Sequence, residues 1–172
     1  MQFEEFAHAR LPALLRYAAL LSGDRELARD LVQEVLTRAL VRWRHIGGVA
    51  EPYAYVRTMV TNEFLSMRRR RRLPTIRLNN EAVDAARGTA QPDRTRDHDD
   101  REDLWYRLEQ LPRQQRAVLV LRYYEDLTDQ EIAEVLACRP ATVRSYAARA
   151  LATLRISLTA EDSLAARIEG AK

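Results

Sequence analysis

Three sets of side chains in this chain have the types and spacing to do chemistry, and all three point to recognition. The first lies in Leu127–Leu154, LTDQEIAEVLACRPATVRSYAARALATL. Arg139, Thr142, Arg144, Ser145 and Arg149 fall on the polar side of a helix predicted to begin at Pro140. Guanidinium and hydroxyl groups presented together suit phosphate oxygens and the major-groove edges of bases. The second set is the run Arg68–Arg72, which ends an apolar-periodic segment. Five consecutive arginines circle a helix, so some must meet solvent or a polyanion, and their C-terminal position complements the helix dipole. Ahead of them stand Trp43, Tyr53, Tyr55 and Asn62, which offer stacking surfaces for an unpaired base and an amide to read its edge. Trp43, at a helix end, is equally suited to a core. The third set is Asp30, Glu34 and Arg38, which at four-residue steps share one side of a helix. Its spacing fits either a solvated ion-pair face or a docking face for a large partner.

Other chemistries find no constellation. His8, His45, His98 and Cys138 are too far apart in sequence for metal-ligand spacing, and one cysteine makes no internal disulfide. Cys138 falls in the turn before Pro140, where it is either a small buried side chain or a redox-sensing thiol. Glycine-rich phosphate loops and nucleophile elbows are absent. Asp93, Asp97, Asp99 and Asp100 lie in a stretch too polar to form the cleft that paired acid–base chemistry needs. The expectation is a non-enzyme with no catalytic residue, no metal and no cofactor. With no secretory core segment and no apolar run of the roughly eighteen residues a membrane span needs, no membrane insertion is expected and the location is expected to be cytoplasmic. Net charge is only +3, but Lys172 is the sole lysine among 28 basic residues. Arginine's planar fork favours phosphate and guanine, although a compositional bias of the genome gives the same imbalance.

The elements that must position these groups are all helical. The expected fold is all-α, with two small helical domains joined by a flexible linker and a helix-turn-helix in the C-terminal one. The boundaries read as 1–72, linker 73–100, 101–160 and a short tail 161–172. In the first domain a helix runs from Phe3 to Leu21, with Pro12 as a candidate break. Asp24 caps a second helix, Arg25–Trp43, whose apolar face is broad. A loop at His45–Glu51 precedes a third helix that starts at Pro52. Few large apolar residues occur between Pro74 and Asp100, hence the tether. Order returns at Leu104 and Trp105. Beyond Pro112, Ala117, Val118, Leu121 and Tyr124 give the next helix an apolar side, with Tyr123 and Tyr124 expected in the core or at its rim. Thr128 and Glu131 form a capping box, Pro140 pre-sets a first helical position, and Val143, Ala147, Ala150, Leu151 and Leu154 make the inward stripe. That is a helix-turn-helix whose second helix reads DNA. Beyond Leu158 the chain either extends this helix or folds back. Two DNA-binding modules on one tether gain effective concentration when its length fits their sites.

Taken together, RYAALLSGDRELARDLVQEVLTRAL, YAYVRTMVTNEFLSMRRRRR and LPRQQRAVLVLRYYEDLTDQEIAEVLACRPATVRSYAARALATLR resemble, in that order, a bacterial sigma-70 family RNA polymerase sigma factor of the extracytoplasmic-function type. The resemblance implies an N-terminal domain that docks on core RNA polymerase and handles the −10 element, and a C-terminal domain that reads the −35 element. It implies that Asp30, Gln33 and Glu34 bind the core enzyme. Trp43, Asn62, Arg68, Arg69 and Arg72 would serve −10 DNA, and Arg139, Thr142, Arg144, Ser145 and Arg149 −35 DNA. The partners it implies are core polymerase and promoter DNA; an anti-sigma factor is also compatible, though no residue names one. Ser66, Ala137, Arg139 and Tyr146 depart from the family's usual residues. The competing reading is a helix-turn-helix regulator that binds operator DNA as a dimer and has no use for the DLVQE surface. A partner-sequestering helical scaffold stands behind it.

Overall fold

The computed structural model describes the backbone of residues 2–71 and 106–169 and the side chains of residues 2–67 and 106–155. The proposed linker 73–100, Leu104, Trp105 and Arg72 lie outside the described residues. Among those described, every regular element is a helix: α1 Phe3–Ser22, α2 Arg25–Val41, a single turn α3 Trp43–Ile46, α4 Pro52–Arg71, α5 Arg113–Tyr123, α6 Asp129–Val135 and α7 Pro140–Glu169, with a further helical stretch at 106–109 ahead of α5.

Local chemistry sets most of these ends. Asp24 accepts from the amides of Glu26 and Leu27, capping α2 as its sequence position predicts. Gly23, just before it, takes φ 75° and returns its amide to Ala19, closing α1 with the left-handed residue that glycine adopts without strain. Pro12, the candidate break, does not interrupt α1. A proline deprives the carbonyl four residues earlier of its partner, and here both Pro12 and His8 face solvent, where water replaces the bond. The helix read as Arg25–Trp43 instead stops at Val41 and resumes as α3. At the far end α7 continues to Glu169, so the tail extends the reader helix.

The first core forms where α1 and α2 pair and α4 packs across both. Phe6, Leu14, Tyr17, Leu21, Leu31, Val35, Val56, Val60 and Phe64 are buried there. Each such apolar side chain contributes about 1.5–3 kcal/mol when removed from water. Inside it the Tyr17 hydroxyl and Thr61 Oγ1 are 2.7 Å apart. Burial, despite this hydrogen bond, pushes the Tyr17 phenol well above its usual range. In the second half, α5, α6 and α7 bury Leu121, Ile132, Val143, Ala147 and Ala150.

The halves are not independent beads. Helix α5 and the loop after it lie against α1 and α4. Arg116, 7% exposed, donates to the carbonyls of Leu21 at 2.9 Å, Glu109 at 2.8 Å and Leu111 at 3.4 Å. The first of these is an end-of-helix carbonyl with no partner inside α1. Arg113 donates to the Phe64 carbonyl at 2.9 Å, and its guanidinium stands 5.0 Å from the Phe64 ring centre. The Glu109 side chain occupies the space a Cβ on Gly23 would need. The chain therefore carries a packed seam that the tether reading did not anticipate.

Candidate nucleic-acid and partner interfaces

The helix-turn-helix is built as its sequence predicts, with one compensation. The Thr128 amide donates to Glu131 Oε2 at 2.8 Å, and the Glu131 amide donates to Thr128 Oγ1 at 3.4 Å. Hydrogen bonds from the Thr128 side chain and amide hold the Glu131 carboxyl below its ordinary range. Helix α6 then closes with a Schellman pair: the Cys138 amide donates to Ala133 at 2.9 Å and the Ala137 amide to Glu134 at 3.3 Å. That motif puts Ala137 at φ 49°, a left-handed position where glycine is the unstrained residue. Arg139 follows, and its carbonyl accepts from the amides of Thr142 and Val143 to open α7. Cys138 is half-buried, and burial raises its thiol, disfavouring the reactive thiolate.

Val143, Ala147 and Ala150 are buried under α7, which leaves Arg139, Arg144, Ser145 and Arg149 exposed and Thr142 half-buried along its outer side. All five proposed reader residues thus lie on one helix or at its start. Arg144, 63% exposed, is 3.9 Å from Asp129, which also pairs with Arg122. An exposed pair of this kind adds little stability, but it gives the Arg144 fork a preferred direction.

On α4 the burial pattern separates two faces. Val56, Val60 and Phe64 are buried, whereas Asn62 and Tyr55 are exposed on the opposite side. Arg68 and Arg69 continue the same helix, placing the basic run on its last turns. Trp43 sits elsewhere: half-buried, its ring is 5.3 Å from Phe3 and 4.8 Å from Phe6, and its indole covers Gly47. It supports the 47–51 loop from behind.

The α2 face presents Asp30, Gln33 and Glu34 to solvent. Arg38 does not simply continue that stripe. It reaches Glu34 at 3.5 Å but also crosses to the buried Glu63 on α4 at 2.6 Å. Beside Gln33 runs a groove of about 480 Å³ between α1 and α2, lined by Phe3, Leu11, Leu15, Val32, Leu36 and Leu40 among others. Leu40 and Val41 are 50% and 83% exposed. Sequence reasoning read the apolar face of α2 as broad but missed this groove. The signal was the width of the α2 apolar face, more than one helix pair can cover. Tyr123 and Tyr124 are likewise 61% and 40% exposed, at the rim and not in the core. Among the described residues no cluster of His, Cys, Asp and Glu is arranged to hold a metal ion, and no helix is long and apolar enough to cross a membrane.

Comparison with known proteins matches residues 6–73 to the sigma-70 region 2 family and residues 101–154 to the sigma-70 region 4 family. The chain is 36% identical to the RNA polymerase sigma-E factor of Streptomyces avermitilis, over 98% of this chain and 92% of that protein. It is 33% identical to the ECF RNA polymerase sigma factor SigL of Mycobacterium tuberculosis, over 84% and 82% respectively. Among solved structures, the sigma factor RpoE of Bartonella quintana, crystallised with the anti-sigma factor NepR, superposes with a TM-score of 0.64 at 26% identity, covering 91% of this chain and 96% of that one.

Proposed function

From the premise that the chain belongs to the sigma-70 family and is a sigma factor of the extracytoplasmic-function type, not an enzyme, we propose how its surfaces divide the work of promoter-specific initiation. Residues 1–72 form the unit that docks on core RNA polymerase and handles the −10 element. Residues 101–160 form the unit that reads the −35 element. Asp30, Gln33 and Glu34 on α2 bind the core enzyme, with the adjacent apolar groove supplying the buried contact area that exposed charges alone lack. Asn62 and the Arg68, Arg69 and Arg72 run engage −10 DNA, the arginines along the backbone and Asn62 at an unstacked base. Trp43 contributes by holding the 47–51 loop against the first core. Arg139, Thr142, Arg144, Ser145 and Arg149 meet the −35 duplex. Site of action is the cytoplasm, where the polymerase works.

The observation that carries this reading is the pairing of an exposed polar face on α7 with α4, where Asn62 is exposed and the arginine run ends the same helix. A repressor needs only the first. Opening of the −10 strand then draws on binding free energy from both faces and on capture of a flipped base, with no nucleotide hydrolysis. Run-off transcription with purified core polymerase tests it. The wild type should direct initiation at promoters carrying both elements, and Asp30→Lys/Glu34→Lys should weaken core binding at least about tenfold. No stimulation by the wild type would sink the reading; normal core binding by the charge-reversed form would remove only the α2 docking face.

A further inference from the structure

Helix α6 opens on a side chain whose contacts lie outside its own helix. Asp129 is the first residue of α6, yet the cap there is Thr128, which leaves the Asp129 carboxylate for other partners. Its Oδ1 pairs with Arg122 Nη2, on the last turn of α5. Its Oδ2 lies 3.9 Å from Arg144 Nη1 on α7. One carboxylate thus links α5, α6 and the reader helix. The Arg122 and Asp129 side chains are 24% and 30% exposed, against 63% for Arg144. The inner pair is sheltered and holds the carboxylate in place. The outer pair is screened by water and adds little stability, so its consequence is for what Arg144 does.

Arg144 stands in the opening turns of α7, the part of a reader helix that approaches base edges. Its contact with Asp129 is an ion pair too long for a hydrogen bond, so the guanidinium donors stay available to DNA. The carboxylate acts on Arg144 in two ways. It narrows the directions the fork takes, which lowers the entropy lost when the fork meets two acceptors on one base. It also sets negative charge beside the guanidinium, which repels phosphate oxygens and offsets part of the attraction to them. Both effects favour a base edge, such as O6 and N7 of guanine, over the DNA backbone. Among the described residues no carboxylate pairs with Arg139 or Arg149 in this way, and those two keep the full phosphate-seeking charge.

We propose that Asp129 is a positioning residue for promoter recognition. Held by Arg122, it aims Arg144 at a base and away from phosphate, and so sets the sequence preference at one position of the −35 element. The proposal rests on the reading of α7 as the −35 helix. It separates the arginines of that helix into one that discriminates and others that anchor.

The test is selection by the full chain with core polymerase from promoter duplexes randomised across the −35 window, read by sequencing. Wild type, Asp129→Asn, Arg144→Ala and the double variant are compared. Wild type should prefer guanine at one position by on the order of tenfold, and Arg144→Ala should lose that preference there and nowhere else. Asp129→Asn should cut it about fivefold or more at the same position. The same variant should bind unselected duplex more tightly, with a salt slope steeper by about 1, because the released arginine takes a phosphate. A carboxylate that only stabilised the fold would lower both kinds of binding together. In the Arg144→Ala background, Asp129→Asn should alter neither the preference nor the slope, and Asp129→Glu in wild type should keep most of the preference. If Asp129→Asn loses helicity by circular dichroism, Arg122→Gln replaces it, since freeing the carboxylate from α5 should shift preference and slope in the same directions. An unchanged preference, or an equal effect with and without Arg144, would overturn the positioning role and leave −35 reading by α7 intact. No selected sequence with wild type would overturn both.

Discussion

Arginine plays opposite parts at the seam and on the reader helix. At the seam Arg57, Arg113 and Arg116 are wholly or partly buried and hold a carboxylate and backbone carbonyls of Leu21, Phe64, Glu109 and Leu111. On α7 and just before it, Arg139, Arg144 and Arg149 are exposed. The same side chain is thus a structural bridge in one region and a solvated group in the other. Burial, and not residue type, decides which substitutions affect folding and which affect binding.

The contrast is sharpest for stability. Arg116→Met strips three carbonyls of a buried donor and should cost about 2–4 kcal/mol, read as a lower urea midpoint, with far-ultraviolet circular dichroism reporting the helices. Arg149→Ala should move that midpoint by no more than about 0.5 kcal/mol. On DNA the order reverses. Arg144→Ala should weaken −35 duplex binding by about 1–3 kcal/mol if its fork reads a guanine, whereas a phosphate-only role lowers the slope of log affinity against log salt by about 1; fluorescence anisotropy across a salt series separates the two. Arg116→Met, where folded, should leave that slope unchanged.

Much of the local structure was legible because helix ends are local chemistry. Asp24, the Thr128–Glu131 box, Pro52 and Pro140 each act within a turn of their own position, and the structure uses them as expected. The seam was not legible. Arg57, Arg113, Arg116 and Glu125 read as ordinary solvated charges, and their partners lie 49 to 95 residues away along the chain. Contacts at such separations leave no periodicity. The exposed side of α7 was legible, since Val143, Ala147 and Ala150 are buried at helical spacing beneath it. The proposed docking side was legible only in part. Asp30, Gln33 and Glu34 could be placed on one helix, but the groove beside them requires knowing that α1 leaves Leu40 uncovered.

Smaller effects probe the turn that joins the seam-bearing helix to the reader. Ala137→Gly should raise stability by about 0.5–1 kcal/mol, because the left-handed strain it relieves exceeds the added chain entropy; a lower thermal midpoint would mean that φ 49° carries no strain at Ala137. Glu131 gives a pH signature. Its carboxyl is held below its ordinary range by Thr128, so its contribution is present above the unfolded value and lost as pH falls through the folded one. The stability advantage of wild type over Glu131→Gln should therefore shrink as pH is lowered into the acid range.

The most direct test of the account is hydroxyl-radical footprinting of a promoter with the free factor, with core polymerase and with both. The account predicts two separated protected blocks, at the −35 and −10 elements, only when factor and core are present together, with the −10 block lost in Asp30→Lys/Glu34→Lys. Full protection of a single duplex site by the free factor, unchanged by core, would contradict it and mark the chain as an operator-binding regulator.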